Sequence, residues 1–233
     1  MGVGIHISNW KHAGFQTDCR PFIVYASGLG PAWCREFEDL LRNSAIVLEQ
    51  LLGCFPSSGL VGIHAALQFA ERVSVYNMPL MPSFVRPADM PPRKPLPCAF
   101  HNWLGERRLG FSLMREYGPE RLFWKSLSLE TVVDRDEPTD SNPLMLLTNL
   151  FSQGRSIQES ELAKALEQLT GVGQSMWVRN AEETCLMALE RYFFLSRHSS
   201  DTLNWWLYSN RISVPLNNIL HRLMQCQLEL MGN

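Results

Sequence analysis

The sequence predicts an α/β fold: a largely parallel sheet flanked by helices, followed by a helical C-terminal half. Two observations carry this reading. Over the first half of the chain, short runs of β-branched and aromatic residues alternate with stretches of helical spacing. Alternation of that kind builds an open sheet covered by helices. From Asn142 onward every apolar repeat is helical. The expected division is an α/β region over residues 1–130, an acidic linker over 131–141 and a helical region over 142–233.

Residues 3–8 form the first expected strand, and Asn9-Trp10 ends it. Residues 22–26 (Phe-Ile-Val-Tyr-Ala) form a second, buried one. Gly28-Leu29-Gly30 follows, but the third glycine of a dinucleotide turn is missing and Pro31 interrupts it, so it reads as a plain connection. Residues 33–52 are helical. Phe37, Leu40, Leu41, Val47, Leu48, Leu51 and Leu52 recur at three and four, with Glu36, Glu38, Asp39 and Glu49 on the wet face. Pro56 and Gly59 then punctuate a turn. Ser57 or Ser58 caps a helix that runs to Ala70, with Leu60, Ile63 and Leu67 at helical spacing. Val73, Val75 and Tyr76 mark residues 72–78 as a short buried strand.

Residues 79–97 hold seven of the fourteen prolines and form no regular element. Residues 104–117 are a helix that buries Leu104, Leu109, Leu113 and Met114, and residues 122–129 are the last expected strand. Four helices complete the chain. The first covers 143–151, with Pro143 in its first turn. The second covers 156–169 and opens with a Ser156-to-Glu159 capping box. The others cover 174–196 and 216–231. The cluster Trp205-Trp206-Leu207-Tyr208 suits either stacking on a sugar ring or packing between helices.

A chain of 233 residues buries a full core. With 45% hydrophobic and 19% charged residues, its composition is that of a globular protein. A formal net charge of -2, and no basic run longer than Arg107-Arg108, give no reason to expect a nucleic-acid partner. No apolar run reaches the roughly 18 residues of a spanning helix, and no signal peptide opens the sequence. The six cysteines (19, 34, 54, 98, 185 and 226) show no CxxC spacing and fit free thiols in a reducing compartment.

Three places carry candidate chemistry. A helix that opens Ser57-Ser58-Gly59 presents unpaired N–H groups and a positive dipole end, which suits a carboxylate or phosphate. It equally suits a capped core helix that binds nothing. His101 stands just ahead of a helix with Glu106 in its first turn. Asp134-Arg135-Asp136 spaces two carboxylates as a metal–diphosphate site would, or belongs to an ordinary acidic linker.

The order of these pieces resembles the animal-type (family 29) sialyltransferases. Pro56-Ser57-Ser58-Gly59-Leu60, Ala65-Ala66-Leu67 and Val73-Ser74-Val75-Tyr76 resemble the family's small sialyl motif. His101-Asn102-Trp103-Leu104-Gly105-Glu106 is similar to its very small motif, a His and a Glu with four residues between. Ile5-His6-Ile7-Ser8-Asn9-Trp10 resembles the end of the large motif, with Asn9 in the place of the nucleotide-contacting Asn and Ile7 where an Arg is usual. The resemblance covers roughly residues 1–116. The Gly-Asn-Gly donor loop that should precede the large motif has no counterpart after Met1, and no His lies between His64 and His101 to match the third motif. Phe69 and Ala70 stand where the small-motif Cys is expected, which implies that the family's disulfide is absent.

The resemblance implies a Rossmann-like sialyltransferase fold and the transfer of sialic acid, or a related acidic keto-sugar, from a CMP-activated donor to a hydroxyl of a glycan or lipopolysaccharide. Transfer would be inverting and metal-independent, with no cofactor beyond the CMP-sugar as donor substrate. His101 would be the general base and Glu106 would orient the site. The N–H groups around Ser57, Ser58 and Gly59 would hold the donor's negative groups, and Asn9 would touch the nucleotide. A bacterial-type cytoplasmic form is implied, or a Golgi-lumenal one if the chain is a trimmed eukaryotic form, and peripheral membrane contact stays open. Two other readings remain: an inactive binding or scaffold protein that keeps the fold, and a metal-dependent nucleotide-sugar transferase using Asp134 and Asp136.

Overall fold

The computed structural model describes residues 5–8, 23–26, 30–81, 83–91, 94, 96–127, 142–190, 192–193 and 205–232. The chain divides into two compact units, Met1–Val75 with Tyr117–Phe123, and Tyr76–Glu116 with Trp124–Asn233.

In the first unit, β1 (Ile5–Ser8) pairs antiparallel with β2 (Ile23–Ala26), Ile5 opposite Ala26. Helix α1 (Pro31–Leu52) starts on a proline, whose missing N–H is one the first turn leaves unpaired anyway. It buries Phe37, Leu41, Ala45, Leu48 and Leu52, one stripe at three- and four-residue spacing. Gly53 ends it in the left-handed region (φ 69°), and its N–H donates to the Glu49 carbonyl at 2.9 Å. Helix α2 (Ser58–Phe69) packs on α1 through Leu60, Val61, Ile63, Ala65 and Leu67. Each of the Leu, Val and Ile side chains contributes about 1.5–3 kcal/mol by leaving water. Between the helices, the buried Ser44 hydroxyl meets His64 Nδ1 at 3.0 Å and accepts from Gln68 Nε2 at 2.9 Å, so His64 is a structural residue. Trp33 stacks on Phe37, and Phe69 meets Phe37 edge-on. Two residues of β3 (Val73–Ser74) pair in parallel with β4 (Leu122–Phe123).

These strands overturn the expected sheet. Among the described residues the fold is mainly helical, and the strands form one antiparallel pair and one parallel pair of two residues each, not a largely parallel sheet flanked by helices. The physical reasons are local. An antiparallel pair needs no crossover helix, so β1 and β2 close on each other. The run after Val73 stops pairing beyond Val75, and Asn77 takes a positive φ of 55°. The run after Leu122 turns into a short 3-10 helix at Lys125–Leu127, because Trp124 faces inward and its Nε1 donates to the Met78 carbonyl at 2.7 Å. Short apolar runs do not by themselves distinguish a strand from a buried turn.

The second unit is a helical body. Helix α3 (Trp103–Arg121) breaks at Gly118 (φ 70°) before Pro119, and its first fourteen residues belong here. Then come α4 (Pro143–Ser152), α5 (Glu159–Thr170), α6 (Gln174–Arg179), α7 (Glu183–Glu190) and α8 (Asn210–Gly232). Helix α8 packs against α5, α6 and α7, and α4 packs against α5, α6 and α7. Their shared core holds Leu147, Phe151, Leu166, Trp177, Leu189 and Leu220. Trp206 is buried and stacked on Phe151 at 5.0 Å, so this part of the aromatic cluster packs helices. Asn142 caps α4, its side chain accepting from the N–H groups of Leu144 and Met145. The expected capping box at Ser156 does not form: the Ser156 hydroxyl donates to the Gln153 carbonyl, and α5 starts three residues later without a side-chain cap. The long helix expected over 174–196 is split at Asn180, where the backbone leaves the helical region and the side chain bonds back to the Met176 carbonyl.

Candidate functional site

The second unit gathers the buried charge. A single 3-10 turn at Pro97–Phe100 delivers His101, and Asn102 starts α3: its Oδ1 accepts from the Gly105 N–H at 3.0 Å. That bond turns the Asn102 side chain inward, where its Nδ2 donates to Glu190 Oε2 at 3.2 Å. Arg108, further along α3, grips the same carboxylate through Nε at 3.0 Å and Nη2 at 3.4 Å. Glu190 closes α7, so one carboxylate fixes α7 against the start of α3. From α8, Gln227 Nε2 donates to the Leu104 carbonyl at 2.8 Å.

His101 sits at the edge of this network. Its side chain is 28% exposed, while Glu106, five residues on, is wholly buried. His101 Nδ1 lies 3.8 Å from Glu106 Oε1, beyond hydrogen-bond length but within reach of a strong charge interaction. The imidazole also meets Trp103 edge-on at 5.1 Å. The neighbouring Arg107 is fully buried, donates to the carbonyls of Pro79 and Leu127, and lies over the Phe111 ring. Burial lowers its guanidinium to about 10, so it stays charged at neutral pH. Cys98, just before His101, has its thiol pushed up to about 12 by burial. It is therefore protonated at neutral pH and cannot serve as a thiolate nucleophile there.

The sequence-predicted residues are divided between the two units. Ser57 is the N-cap of α2, buried, with its Oγ accepting from the Leu60 N–H at 3.3 Å; Ser58 and Gly59 occupy the first turn. All three belong to the first unit, whereas His101 and Glu106 belong to the second. Within the second unit, His101 and Glu106 are brought together. Asn9, Asp134 and Asp136 lie outside the described residues.

Sequence reasoning missed Asn102, Arg108, Glu190 and Gln227 as parts of the buried network. Asn102 three residues before Gly105, at a helix start, was a readable cap signal. Glu190 offered none, being 88 positions from its Asn102 partner. In the proline-rich loop, the Arg86 guanidinium donates to the carbonyls of Lys94, Pro91 and Leu207 and so ties that loop down.

No family model matches the chain, and neither a curated protein nor a solved structure does. The likeness to the sialyltransferases therefore stands on the quoted motifs alone.

Proposed function

We propose that the chain is a glycosyltransferase in which His101 takes the proton from an acceptor hydroxyl, with sialyl transfer from a CMP-sugar as the reaction that the motif order favours. One observation carries the reading: a part-exposed imidazole whose Nδ1 lies 3.8 Å from a carboxylate with no exposure. An imidazole that accepts a proton becomes a cation, and a buried carboxylate behind it stabilises that cation where water cannot screen it. Imidazole is the side chain that most readily exchanges a proton at physiological pH, which suits a general base. Glu106 is then a positioning residue that acts through His101. The test is CMP release from CMP-sialic acid in the presence of glycan acceptors, with and without chelator. His101→Asn should abolish transfer, with a fold shown intact by circular dichroism, and chelator should change nothing.

A second reading is favoured by Ser57. Its hydroxyl is already engaged in capping α2, as a helix that binds nothing would use it. On that reading the chain is a binding or scaffold protein without turnover. Calorimetric binding of CMP with no release of CMP from the donor would select it.

A further inference from the structure

We draw no further inference here: the strongest candidate, the exposed apolar patch that Ile46, Val47 and Leu51 form on the outer side of α1 in the first unit, is an unpartnered helix face, and nothing in the structure shows what covers it.

Discussion

The two units bury polar groups in different ways. Among the described residues of the first unit, the buried polar side chains are the hydroxyls of Ser44 and Ser57, each engaged by a near neighbour in the packing. The second unit buries Asn102, Ser213, Gln225 and Gln227, and with them three ionisable side chains, Glu106, Arg107 and Glu190. A neutral hydroxyl with a partner costs little to bury, whereas a charge costs several kcal/mol unless it is held on several sides. The first unit is accordingly explained by aliphatic packing and helix caps. The second carries a polar network whose cost asks for a purpose, and that is where the candidate chemistry lies.

The largest effect should come from Arg107. Its guanidinium holds the Pro79 carbonyl next to Leu80, a buried residue with a positive φ of 51°, and also holds the Leu127 carbonyl. Arg107→Met keeps much of the apolar stem but orphans both carbonyls, and urea unfolding should show a loss of about 3 kcal/mol. A change below about 0.5 kcal/mol would mean that the buried charge contributes nothing net, and the contrast between the units would fade.

In the first unit the corresponding effect is smaller. Ser57→Ala should cost about 1 kcal/mol, and Ser57→Asp should retain the stability, because either side chain caps the Leu60 N–H. If Ser57→Ala left stability untouched while abolishing CMP binding, Ser57 would be a ligand residue and not a cap.

The smallest effect is one of pH. Burial raises the thiols of Cys98 and Cys226, both in the second unit, from 9.0 to about 12. The folded chain then keeps protons that the unfolded chain releases, so stability is full below about pH 9 and falls as pH rises toward 12. Thiol labelling at neutral pH should modify the part-exposed Cys34, Cys54 and Cys185 before Cys98 and Cys226. Early labelling of Cys98 would show that the core around His101 opens more readily than the packing implies.

Much of the local structure was legible in the sequence, and the reasons differ by element. Helix α1 could be read because its buried stripe, Phe37 to Leu52, is long enough for its period to be unmistakable. The opening of α2 could be read because Ser57 caps through its own side chain, three residues from its partner. The sheet could not. A strand is defined by what it pairs with, and the pairing of Val73 with Leu122 is 49 positions away in sequence and only two residues long. The same distance problem hid Glu190, whose carboxylate reads as an ordinary helical surface charge until α7 is set against α3. The proximity of His101 and Glu106 could be read because their separation is short and crosses a helix start. The close packing around them was invisible: a Cβ on Gly110, for instance, would come within 3.0 Å of Leu127 and 3.1 Å of Leu80.

The most direct measurement is the rate of CMP release from CMP-sialic acid, with glycan acceptors present, by the parent chain and by His101→Asn. The account predicts release by the parent and at least a hundredfold loss in the variant, the order of magnitude that a positioned general base supplies, about 10²–10⁴. Equal rates from the two chains, or no release by a folded parent, would contradict it.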